Sequence, residues 1–97
     1  MNFSVKLSTK SKIDLLNIKI YISSYDYILS DYFINSLLDS LEKNLELFPY
    51  MYREYFKNIR FIPYKWYIVL YKIDENKKEV IILRIIHWSK DLNNLKI

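Results

Sequence analysis

Apolar positions along the chain change their period several times, and each change marks an element. Phe3–Leu7 alternates apolar and polar residues with the period of two that a strand requires. Ser8 then offers a helix N-cap. Behind it Ser11, Leu15, Ile18 and Ile22 recur at helical spacing, with Ile13, Leu16 and Ile20 widening the stripe. Ser23–Tyr27 is a polar break. Ser30, with Asp31 in the first turn where an acid favours the positive end of the dipole, predicts the start of a second helix. Its buried stripe is Phe33, Leu37, Leu38, Leu41 and Leu45, and Pro49 ends it because the residue before proline avoids the helical region.

The pattern after Pro49 is different. Tyr50–Phe56 reads as a tyrosine-rich connector, and strands are predicted over 59–64, 66–73 and 80–88. Asp74–Lys78 supplies the turn between the last two. Trp66–Tyr71 is apolar on both faces, as a central strand covered by helices would be. Two amphipathic helices on a short link pack as an antiparallel hairpin. The predicted fold is therefore α+β, β-α-α-β-β-β, with a helical hairpin packed on a mostly antiparallel four-stranded sheet, and residues 1–97 forming a single domain. The helix stripes are expected to face the sheet.

Composition narrows the function classes. A chain of 97 residues buries roughly 65% of its unfolded surface, enough for one core. The absence of cysteine excludes disulfides and thiolate zinc sites, and one histidine excludes a histidine-rich metal site, so neither a structural metal nor a cofactor is expected. No apolar run approaches the roughly 20 residues of a membrane span, and no secretion signal is visible, which makes the cytoplasm the expected compartment. Charge is uneven. Residues 1–48 carry five Lys against six acids, a net of −1, while residues 49–97 carry ten basic against five acidic residues, a net of +5. Such a half suits a polyanionic or acidic partner as well as a solvated surface.

Chemistry-bearing residues gather in that basic half. Arg60, Arg84 and Lys90 supply cations, and His87 is the side chain whose ordinary pKa lies nearest neutrality. In a regular strand Arg84 and His87 point to opposite faces, so they share a site only if the strand bulges or ends between them. Other roles fit the same residues: an ion pair of Arg84 with a helix carboxylate such as Asp14, and a partly buried His87 bonded to backbone or to Asp91. The ten Tyr, five Phe and two Trp fill a core or stack on bases, and an exposed Tyr50-Met51-Tyr52…Tyr55-Phe56 cluster would suit a protein partner.

Four motifs in order resemble the RelE/ParE superfamily of bacterial toxins. Ser8 followed by Asp14-Leu15, Ile18 and Tyr21-Ile22 is similar to the family's first helix, and Phe48-Pro49-x-x-x-Arg53 resembles its Phe-Pro-x-x-Gly-Arg, with Tyr52 at the glycine. Ile59-Arg60-x-x-Pro63 with Tyr67, Tyr71 and Ile73 is similar to its strand pair. Val80-x-Ile82-Leu83-Arg84-Ile85-x-His87-x-x-Lys90-Asp91 resembles its closing motif, with Lys90 keeping the charge of arginine without its planar fork. The long helices and the His-x-x-basic-Asp ending resemble the ParE branch more than the RelE branch. The resemblance implies the toxin of a type II toxin–antitoxin pair, neutralised by a cognate antitoxin in a hetero-oligomer. A ParE-like chain would target DNA gyrase. A RelE-like chain would be a ribosome-dependent mRNA endonuclease, with His87 as acid or base, Arg60 and Arg84 on phosphate, and Lys90 or Tyr71 assisting. A third possibility is an inactive homologue that only binds antitoxin.

Overall fold

The computed structural model describes residues 2–90. Its elements are β1 (Ser4–Leu7), α1 (Thr9–Ser23), α2 (Tyr27–Leu47), β2 (Glu54–Phe56), β3 (Ile59–Tyr64), β4 (Tyr67–Asp74) and β5 (Glu79–His87). The strands form one sheet in the order β1-β5-β4-β3-β2. β1 runs parallel to β5, and every other pair is antiparallel. The sheet is thus five-stranded, where four strands were expected. The added strand, β2, lies in the stretch read as a connector, is only three residues long, and is exposed throughout. So short a segment has no alternation to betray it, and its pairing with β3 is irregular.

Both helices start on local chemistry. Ser8 Oγ accepts from the Ser11 amide at 3.1 Å to cap α1. Asp26 caps α2, its Oδ1 accepting from the amides of Ile28 at 2.9 Å and Leu29 at 3.1 Å. The helix therefore begins a turn before the expected Ser30, since Asp26 is as good a cap as serine and is reached first. Ser30 instead is fully buried between the helices, donating its hydroxyl to the Lys19 carbonyl at 3.0 Å.

The core lies between the hairpin and one sheet face. Leu15 and Ile18 of α1 and Phe33, Leu37, Leu41 and Leu45 of α2 pack on Ile62, Val69, Tyr71, Val80, Ile82 and Ile85. Ile13, Leu16 and Ile20 do not join them. They stand 53%, 56% and 60% exposed on the outer side of α1, because a single sheet can cover only one side of a helix. The chain contains no glycine, so its tight turns place Lys57, Asn58, Lys65 and Lys78 at positive φ. These left-handed conformations cost about 1–2 kcal/mol apiece relative to glycine.

Candidate functional site

The site is built where α1 crosses an unpaired edge of β5. β1 pairs with β5 only as far as Leu7 opposite Ile82, so among the described residues β5 runs on without a strand neighbour on that side. Helix α1 takes over from the strand. The Ser8 amide donates to the Ile82 carbonyl at 3.0 Å, and the Ser8 hydroxyl donates to the Leu83 carbonyl at 3.0 Å. Against β4 the register slips at this point, with Tyr71 opposite Ile82 but Leu70 opposite Arg84, leaving Leu83 as a bulge. Nearly two helical turns further along, Asp14 meets the strand. Its carboxylate accepts from Arg84 Nε at 2.7 Å, from Arg84 Nη2 at 2.9 Å and from the Ile85 amide at 2.9 Å. The Asp14 hydrogen bond raises the Arg84 pKa further above its already high value. A planar guanidinium fork on a carboxylate is the strong, directional form of ion pair.

His87 closes β5 opposite Tyr67. Its Nδ1 lies 2.7 Å from Ser89 Oγ and accepts from the Ser89 amide at 3.2 Å. An accepting Nδ1 puts the proton of the neutral ring on Nε2. The ring meets Tyr67 edge-on at 5.5 Å and stacks on Trp88 at 6.0 Å. The Lys90 amide turns back to the His87 carbonyl at 3.0 Å. Arg84, His87 and Lys90 all line one cleft of about 680 Å³, floored by Tyr67 and walled by Asp14 and Tyr21. The bulge lies before Arg84 rather than between Arg84 and His87, so by register the two still belong to opposite faces. They share the cleft because it opens at the sheet edge, which side chains of either face can reach.

Arg60 stands apart. It pairs with Tyr71, four residues along β4 from the Tyr67 that faces His87, a separation of roughly 13 Å along the strand. Its Nη1 donates to the carbonyl of Tyr52 at 2.6 Å and of Tyr50 at 3.4 Å, and the guanidinium lies over the Tyr50 ring at 5.3 Å. Tyr71 works on the same loop, its buried hydroxyl donating to the Pro49 carbonyl at 2.6 Å. Burial pushes the Tyr71 pKa up to about 12, against the opposing pull of Arg60. These two side chains hold the turn after α2. Asp91, the other partner considered for His87, lies outside the described residues.

A second groove was not anticipated from the sequence. It holds about 460 Å³ and continues the cleft past Tyr21, Tyr67 and His87 into a space lined by Tyr25, Tyr32, Lys65 and Trp66. These rings come from α1, the helix link, α2 and the β3–β4 turn. No local spacing links them, although the surplus of tyrosine was a signal that the core could not absorb all of them.

The comparisons are consistent with this architecture. The family model for the ParE toxin of the type II toxin–antitoxin system parDE matches residues 5–92. The chain belongs to the ParE toxin family. It is thus a toxin of the type II toxin–antitoxin class. Among solved structures it is similar to a chain of the RelBE2 toxin–antitoxin complex from Mycobacterium tuberculosis, at 18% identity over 93% of this chain and 95% of that one, with a TM-score of 0.69. It is also similar to a chain of the chromosomal ParDE system of P. aeruginosa, at 18% identity over 88% and 95%, with a TM-score of 0.73. At these identities the likeness is one of fold. No curated protein sequence matches. Among the described residues of this ParE-family chain, no helix is long and apolar enough to cross a membrane, and no three acidic or histidine side chains gather as a metal site.

Chemically, the cleft of this family member offers an imidazole with one nitrogen engaged, the exposed Lys90 ammonium, and a guanidinium already matched to a carboxylate.

Proposed function

We propose that this toxin arrests growth by binding DNA gyrase, without cutting nucleic acid itself, and that a cognate antitoxin neutralises it in the cytoplasm within a toxin–antitoxin hetero-oligomer. The observation that carries the reading is the engagement in internal structure of Arg60 and Arg84, the two arginines that a nuclease would place on phosphate. Arg84 is held bidentately by Asp14, and Arg60 is anchored to the carbonyls of Tyr50 and Tyr52. Around His87 that leaves Lys65 and Lys90 as the cations with no carboxylate partner among the described residues. The match to the ParE family and the toxin–antitoxin complexes among its structural relatives support the target and the partner respectively.

A ribosome-dependent endonuclease is the competing reading, favoured by His87, Arg84 and Lys90 sharing one cleft. It requires Arg84 to leave Asp14 when RNA arrives. Parallel assays separate the two. Purified toxin should block supercoiling by gyrase at near-stoichiometric ratios and leave ribosome-bound mRNA intact. Cleavage of that mRNA with supercoiling unaffected would reverse the assignment.

A further inference from the structure

We infer that the double groove beside His87 is a nucleotide-binding site, taking a base in its aromatic lobe and a phosphate in its cationic lobe. The inference is independent of the cellular target. The aromatic lobe, at about 460 Å³, has the size of a small-molecule pocket, roughly 300–1,000 Å³. Beside the aliphatic Ile22 and Leu29, three rings of its wall stand open to solvent, with Tyr25 76%, Tyr32 66% and Trp66 60% exposed. Ring faces held open in a concave site accept planar heterocycles by stacking, whatever the base. The neighbouring lobe is joined to it through Tyr21, Tyr67 and His87. There Lys90 and the Nε2 of His87, which has no hydrogen-bond partner among the described residues, supply donors for phosphate oxygens.

Charge points the same way. Among the described residues Asp14 is the one acidic side chain lining either lobe, and Arg84 neutralises it. Lys65 and Lys90 then leave the groove with a net charge of +2, one cation in each lobe. An amphipathic peptide helix needs an extended apolar trough with anchors at successive turns. Two short lobes, one ring-lined and one cationic, match a base joined to a phosphate better.

A free nucleotide and a nucleotide within a single strand present the same chemistry, and the test distinguishes them. The chain has two tryptophans, and both report on the site: Trp66 lines the groove and Trp88 stacks on His87. Intrinsic fluorescence of the purified full-length chain is titrated with adenosine, adenosine monophosphate and a short single-stranded oligoadenylate. The expected result is saturable quenching by a phosphate-bearing probe, with adenosine binding more weakly. Tyr25→Ala and Lys90→Gln, both at exposed positions, should each weaken it at least about fivefold while far-UV circular dichroism stays unchanged. Tighter binding of the oligonucleotide identifies a strand as the ligand, and equal binding identifies the free nucleotide. Absence of quenching by any probe up to about 1 mM, adenosine binding as well as its monophosphate, or folded variants that bind like the parent would each overturn the proposal.

Discussion

Substituting Asp14 tests whether the Arg84 bridge is the fastening of α1 to the sheet edge. The Asp14→Ala change removes three acceptor contacts at once: two from the Arg84 guanidinium and one from the Ile85 amide. Both partners are largely shielded, with side-chain exposures of 19% for Arg84 and 11% for Asp14, so solvent screens the pair only weakly. Breaking one side of a fully buried pair costs about 3–5 kcal/mol, and this largely shielded one approaches the lower end because the guanidinium fork and the Ile85 amide lose their acceptor together. Against a total stability of about 5–15 kcal/mol for a domain of this size, that is a large fraction. The melting temperature should fall by at least about 12 °C. Asp14→Asn keeps an acceptor for the Ile85 amide and should lose about half as much. The assay is urea denaturation followed by circular dichroism, with the denaturant slope unchanged between variants. A double-mutant cycle with Arg84→Leu should give a coupling of at least about 1.5 kcal/mol. A cost below about 1 kcal/mol for Asp14→Ala, or simple additivity in the cycle, would refute the reasoning.

Further outcomes follow from other contacts. Tyr71→Phe strands the buried Pro49 carbonyl and should cost about 1–3 kcal/mol in the same denaturation assay. Folded Tyr71 keeps its proton to about 12, whereas the unfolded chain releases it near 10, so the folded state binds more protons in that window. Its contribution is complete below pH 10 and declines as pH rises through 12, and the parent should lose about 2–3 kcal/mol relative to Tyr71→Phe across that range. Ser8→Ala removes both the α1 cap and the bond to the Leu83 carbonyl, and should cost about 1–2 kcal/mol. Leu37→Ala, at a position with no exposure, should cost about 2–5 kcal/mol, while Leu16→Ala on the open side of α1 should change stability by less than about 0.5 kcal/mol.

Much of this fold could be read from periodicity. The stripe Phe33, Leu37, Leu41, Leu45 is the buried face of α2, and Ser11, Leu15 and Ile18 are buried on α1. The same pattern overreached at Ile13, Leu16 and Ile20, since an apolar residue at helical spacing does not reveal how wide a face the sheet can cover. β2 escaped because three exposed residues exist as a strand only through their pairing with β3. The ion pair of Arg84 with Asp14 fits their charge and type, but 70 positions separate them in the chain. Their meeting depends on β1 ending early and on the bulge at Leu83, which no local rule announces. The aromatic groove, assembled from six segments of the chain, was invisible for the same reason.

The His87→Ala variant distinguishes growth arrest by binding from growth arrest by phosphodiester cleavage. His87 is the imidazole that lines the cleft, and an imidazole is the commonest general acid or base. Induced in cells without antitoxin, the variant should halt growth as the parent does and should block gyrase supercoiling at the same toxin ratio. A folded His87→Ala protein that permits normal growth, and that leaves intact a messenger cut by the parent on the ribosome, would contradict the account.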